Sequence, residues 1–265
     1  MKSIAELQTD RSTFSISDAL SDGWKLVSTN LGYYILGGII AVVCGFAVGI
    51  IPFVGGLANN LIISPCFMAS AIFITWHVSR GVPWTDFAEV FKGFNFLSRI
   101  MVSSLIQGAV IVFLLVVFLF NFIPQLFELM SLSQSTDLYG NEEEIKAIFS
   151  VFFTGKALFL FLGFMICTLL VSVIWAFKTH FIVIYNMEAW PAMELSRKIC
   201  TRNLFPMIGL FILLGIIVVI SIIPCGIGLL FSLPLSIGAL YSAFAQITRS
   251  HEEDEINLDV TGGNA

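Results

Sequence analysis

Residues 26–79, LVSTNLGYYILGGIIAVVCGFAVGIIPFVGGLANNLIISPCFMASAIFITWHVS, contain no Asp, Glu, Lys or Arg. The stretch is more than twice the ~20 residues that an α-helix needs to cross a ~30 Å hydrocarbon core. Near its middle stands Pro52-Phe-Val-Gly-Gly56, and proline and glycine together end a helix and permit a reversal. The stretch therefore reads as two membrane spans folded into a hairpin. A second charge-free interval, 203–248, repeats the pattern around Pro224-Cys-Gly-Ile-Gly228, and two single spans lie between, at about 96–124 and 157–177. Backbone polar groups in hydrocarbon must be bonded inside the protein, so the spans are helices, and the alternation of a barrel is absent. The expected fold is all-α: a polytopic membrane protein with six transmembrane helices arranged as three tandem hairpins.

The composition agrees. Hydrophobic residues make up 57% and charged residues 12% of the 265, about half the ~25% charge of soluble domains. One six-span domain over 1–250 is expected, with hairpin units at about 14–80, 84–180 and 187–249. Residues 251–265 carry Glu252, Glu253, Asp254, Glu255 and Asp259 and read as a disordered acidic tail. That tail accounts for the formal net charge of −5, and with no basic cluster nucleic acid is not an expected partner. The first apolar run begins near Leu31 behind about thirty polar residues, which does not fit a cleavable signal. The five cysteines, Cys44, Cys66, Cys167, Cys200 and Cys225, show no paired spacing and read as small packing residues.

Basic residues set the expected orientation. Eleven of the 13, from Lys2, Arg11 and Lys25 to Arg249, fall on one side of the six spans, and only Lys146 and Lys156 on the other. The basic side is expected to be cytoplasmic, with both termini there and residues 131–146 forming the main outer loop. The expected location is a bacterial inner membrane.

One unit is used three times in this reading. Each copy opens with an amphipathic helix in the interface, passes Asn30, Asn95 or Asn203, and climbs to Ile51-Pro52, Ile123-Pro124 or Ile223-Pro224. In the first and third copies a returning-helix proline, Pro65 or Pro234, stands fifteen residues before Arg80 or Arg249. Both prolines are expected to kink their helices. The opening helices set Ile16, Leu20, Gly23 and Val27 against Asp18, Asp22 and Lys25; then Phe87, Phe91 and Phe94 against Asp86, Glu89 and Lys92; then Ala192, Leu195 and Ile199 against Glu194, Arg197, Lys198 and Arg202. Trp24, Trp84 and Trp190 suit an interfacial belt, and residues 142–153 form a further amphipathic segment on the outer side.

The segments DALSDGWKLVSTN (18–30) and AMELSRKICTRN (192–203), with the Gly- and Pro-bearing final hairpin through Tyr241, carry a family likeness. The chain resembles a broad group of bacterial multi-spanning proteins, which is similar to the membrane domain of membrane-anchored glycerophosphodiester phosphodiesterases. The catalytic barrel of those enzymes is missing here, so the resemblance implies a six-span membrane domain and no catalytic residues.

The spans themselves contain no ionisable acid or base, which disfavours proton-coupled transport and intramembrane hydrolysis. His77 and His180 lie near cytoplasmic span ends and, with Glu188 or Glu194, are a candidate metal set, but no ligand spacing supports it, and interfacial aromatic packing is the expected role. Uncharged amides, Asn59, Asn60, Gln107, Asn121, Gln125 and Gln246, are expected to join helices. No catalytic, cofactor or metal site is therefore expected. The remaining feature is a ladder on the first span, Gly37, Ala41, Gly45 and Gly49, spaced by four residues, which lets another backbone approach closely. Its expected partner is span two or span six, the latter offering Ser232, Ser236, Ala239 and Ala243. Membrane lipids and other membrane proteins are the expected partners of the molecule. The leading functional reading is a non-enzymatic scaffold or accessory subunit of an envelope complex. The alternative is a conduit or lipid-handling protein with an apolar cleft between its helices.

Overall fold

A computed structural model describes residues 2–9, 12–52, 54–82, 84, 86–121, 123, 127, 155–223 and 226–248. Among the described residues the secondary structure is helical throughout. The elements are α1 (Ile4–Thr9), α2 (Ile16–Ser28), α3 (Leu31–Gly49), α4 (Val54–Ala58), a π-helical turn (Asn59–Ile63), α5 (Ser64–Ser79), a 3₁₀ run (Phe87–Phe96), α6 (Leu97–Phe120), α7 (Gly155–Ile174), α8 (Lys178–Ile184), α9 (Ala189–Arg202), α10 (Leu204–Ile222) and α11 (Leu229–Thr248). Six helical stretches are long and apolar enough to cross a membrane: Leu31–Gly49, Val54–Ser79, Phe87–Phe120, Leu158–Ile184, Leu204–Ile222 and Leu229–Thr248. The chain is an all-α polytopic membrane protein. The outer loop 131–146, the segment 142–153, Pro124, Pro224, Cys225 and the acidic tail lie outside the described residues.

The chain forms two compact units, residues 1–105 with 173–265, and residues 106–172. In the second unit Phe118 meets Phe161 and Phe164, with ring centroids 6.5 and 5.1 Å apart. The first unit holds everything that shapes the site described below.

Each amphipathic stretch in the first unit is anchored by a different device. Ser15 caps α2, its side chain accepting the Asp18 N–H. The buried face of α2 is Ala19, Gly23 and Val27, and it lies on α11. A Cβ on Gly23 would stand 2.5 Å from the Ala239 nitrogen, and one on Gly238 would stand 2.4 Å from the Gly23 carbonyl oxygen. The two backbones touch because neither position carries a side chain.

The second stretch departs from expectation. It is 3₁₀, and ten residues long, where such runs usually stop at three or four. Val90 and Gly93 are its buried residues, while Phe87 and Phe91 are 45% and 48% exposed. Gly93 lies against α5, where its N–H donates to the Ser70 hydroxyl at 2.8 Å, and Ser70 in turn donates to the Cys66 carbonyl at 3.1 Å. Trp84 is also buried, at 4% exposure, with its indole N–H donating to the Asp86 carbonyl at 2.8 Å. It is a core residue, whereas Trp24 and Trp190 do face outward.

The third stretch, α9, buries Ala192, Leu195 and Ile199 as its pattern implies. Glu194 pairs with Arg197 at 2.7 Å and with Lys198 at 3.8 Å on the exposed face. The Arg197 hydrogen bond holds the Glu194 carboxyl below its ordinary range, although an exposed pair of this kind contributes little to stability. Between α7 and α8 the helix breaks at 175–177. The Ser196 hydroxyl of α9 closes that break: it accepts the Phe177 N–H at 3.2 Å and donates to the Ile174 carbonyl at 3.0 Å. Two backbone groups orphaned by the break are thus paired inside the protein.

Candidate functional site: an apolar cleft between the first, second and sixth spans

Helix α3 is nearly uniform in hydrophobicity, so no single face of it must be buried. Only Tyr34 in it is fully buried, while Val42 and Phe46 are 70% and 73% exposed. Its small residues nevertheless gather on one side. That side, with α5, the π-turn and the first half of α11, encloses a cleft of about 1240 Å³. Ligand sites for drug-sized molecules run from ~300 to ~1,000 Å³, so this one is large enough for a bulkier apolar occupant.

The inner end of the cleft is closed by a packed cluster of Val27, Tyr34, Phe67, Ile74, Trp84 and Val90. The Tyr34 hydroxyl hydrogen-bonds Thr75 at 2.8 Å, which removes its polarity from the floor. Toward the hairpin tips the lining passes through Ile50 and Asn59 on one side and Leu229, Leu230 and Leu233 on the other. Ile50 and Leu233 are 68% and 52% exposed, so the rim opens to the surroundings of the protein.

All four members of the ladder, Gly37, Ala41, Gly45 and Gly49, line this cleft. A Cβ on Gly37 would make ordinary contact with Trp84 and Val90, at 3.5 and 3.7 Å. A Cβ on Gly45 would meet the Asn59 Oδ1 at 2.7 Å, and one on Gly49 would meet nothing within 4 Å. Of the span-six residues, Ser236 lines the cleft, while Ala239 is turned to Gly23 of α2. The hairpin turns are closed by glycines of the two turn motifs. A Cβ on Gly55 would stand 2.2 Å from the Val48 carbonyl oxygen, and one on Gly228 would stand 2.7 Å from that of Ser221.

The two prolines have different settings. Pro65 falls in the first turn of α5, directly after the π-turn. Proline has no N–H and crowds the carbonyl four residues back, and widening the preceding turn to π relieves that crowding. Pro234 lies inside α11, is buried and lines the cleft.

Other candidate groups do not form a reactive site. His77 packs against Phe73 and Trp76, and its Nδ1 hydrogen-bonds the Phe73 carbonyl at 3.1 Å. His180 is buried against Phe177 and Phe244. Among the described residues, no three His, Cys, Asp or Glu side chains group as metal ligands. Burial pushes the Cys200 thiol up to about 12, which leaves it a packing residue and not a nucleophile. No protein-family model, no curated protein and no solved structure matches the chain.

Proposed function

We propose that this protein binds membrane lipid, with acyl chains occupying the cleft between α3, α5 and α11. The observation that carries this reading is the cleft itself: about 1240 Å³, lined almost wholly by aliphatic and small residues of three membrane spans. In hydrocarbon such a space is filled by lipid, since no water is available and an empty void forfeits dispersion contacts. The reading is of a binding protein and not an enzyme. The scaffold reading would need a helix from a partner in the same space, because the small residues that such a helix would use are those lining the cleft.

The test is to purify the protein in mild detergent and quantify retained lipid by mass spectrometry, beside an Ala41→Phe variant. Ala41 packs beside the cluster at the inner end, so phenylalanine there fills the space. Retained lipid should fall severalfold in the variant. Equal retention in both would place the lipid elsewhere and remove the basis for the proposal.

Orientation and location belong to the same reading. The bias of eleven basic residues against two supports cytoplasmic termini in a bacterial inner membrane. The threefold repeat also remains part of it, and two parallels support a common origin for the first and third hairpins. The turn glycines Gly55 and Gly228 each approach the carbonyl seven residues earlier, of Val48 and Ser221. The returning helices α5 and α11 each receive an amphipathic helix at a backbone-close contact five residues beyond their proline, Gly93 at Ser70 and Gly23 at Ala239.

A further inference from the structure

Two adjacent asparagines open the second span, and they are treated differently. The Asn60 amide turns back on its own helix, donating to the Gly56 carbonyl at 2.8 Å. Asn59 lines the cleft, and its side chain has no hydrogen-bond partner among the described residues. Ser64 also lines the cleft, and its hydroxyl is likewise without a partner among them. The π-turn brings the pair together: the Ser64 N–H closes on the Asn59 carbonyl, so one turn separates the two residues and both reach the same side.

The other polar groups of the lining are already used. Tyr34 bonds Thr75, Trp84 bonds the Asp86 carbonyl, Ser70 bonds Cys66 and Gly93, and Ser236 donates to the Ser232 carbonyl at 2.7 Å. A polar group held in an apolar medium without a partner costs free energy, so a cleft that keeps Asn59 and Ser64 open gains most from an occupant with an acceptor at that height. Gly45 supplies the room, since any side chain there would collide with the Asn59 amide oxygen. That oxygen lies over the Gly45 backbone, and the amide NH₂ is the farther atom of the group. Asn59 follows the five residues of α4, about 8 Å of helix below the hairpin tip, and the ester carbonyl that heads each chain of a glycerolipid is the acceptor such a lipid would bring to it.

We infer that Asn59 and Ser64 are the polar recognition point of the cleft and donate hydrogen bonds to an ester carbonyl of a two-chain glycerolipid. The inference rests on the lipid-binding reading above and adds the linkage chemistry to it. Two donors from one turn match an oxygen that only accepts, and the volume of the cleft exceeds what a small ligand would fill.

Native mass spectrometry of the delipidated protein, titrated with two phosphatidylethanolamines of equal chain length, tests this. One carries ester-linked chains and the other ether-linked chains, which lack the carbonyl. The wild-type protein should bind the diester roughly three- to tenfold more tightly, the worth of one net hydrogen bond. Asn59→Leu should lower the diester toward the level of the diether, with the Ser64 donor remaining, and leave the diether unchanged. Equal affinity of the wild-type protein for the two lipids overturns the inference while leaving the lipid-binding reading intact. Binding of neither lipid overturns both. Displacement of the diester by an equal concentration of palmitic acid would assign the carbonyl to a free acid and overturn the two-chain form. If Asn59→Leu does not fold, the wild-type comparison decides alone.

Discussion

Gly23 and Gly38 look alike in the sequence, each a glycine within a helix, yet they differ completely in what surrounds them. A methyl group on Gly23 would press into the backbone of α11 at 2.5 Å, whereas one on Gly38 would meet nothing within 4 Å. Backbone cannot move aside as a flexible side chain can. Gly23→Ala should therefore cost about 1–3 kcal/mol, the usual range for overpacking. Gly38→Ala should stay within about 0.5 kcal/mol of the wild-type protein. Thermal melts of the two purified variants in the same detergent check the contrast, and equal melting points would mean that α2 is not seated on α11 as described. The same lesson applies to Asn59 and Asn60. Both amides suggested helix joining, but one is satisfied by its own helix and the other is turned into a cleft. Nothing in the pair of letters separates them, because the difference arises from the π-turn and from the space over Gly45.

At the scale of elements, amphipathic periodicity identified the buried face of α9, the cap at Ser15 and, in α2, the buried Gly23 and Val27, while Ala19 is buried there and Ile16 and Leu20 are half-buried. It did not register the 3₁₀ form of the second stretch, in which Val90 and Gly93 are buried and Phe87 and Phe91 are exposed. There the Gly93 N–H donates to Ser70 of α5, a long-range contact that local propensity cannot register. The break between α7 and α8 is similar. Ser196 lies about twenty residues away in sequence from the N–H and the carbonyl it serves, and nothing in its neighbourhood marks it. Ser196→Ala would leave the Phe177 N–H and the Ile174 carbonyl without that partner in a buried site. A loss of about 1–3 kcal/mol is expected, together with faster hydrogen exchange at the Phe177 amide. Slow exchange retained at Phe177 would show that the break is held by other contacts.

For the whole molecule, the proposed orientation makes a simple statement about accessibility. In intact cells an impermeant thiol reagent should label a cysteine introduced at Ser135 and spare one at Ser250, after the native cysteines are removed. Labelling at Ser250 alone would invert the topology and with it the side on which the tip of the cleft lies. The cleft explains why the small-residue ladder on α3 reads ambiguously. A row of small residues provides close approach, and the approaching group can be a helix or a lipid chain. Here Gly37, Ala41, Gly45 and Gly49 all line the cleft, and the side chains nearest to Gly37 and Gly45 are Trp84, Val90 and Asn59, not residues of α11.

By itself the sequence determined that this is an all-α membrane protein with six spans, since that conclusion needs only the length of the charge-free runs and the requirement to pair backbone groups in hydrocarbon. It also identified the turn motifs and two of the three amphipathic faces, all of which are local properties of adjacent residues. Tertiary structure alone decided which small residues meet backbone and which border empty space. It decided that Trp84 is buried instead of interfacial, and that one asparagine of two faces a cleft. In a membrane nearly every side chain is apolar, so hydrophobicity no longer distinguishes the inside of the protein from the outside. What remains to set position is shape and the pairing of a few polar groups, and both depend on partners that are distant in the chain.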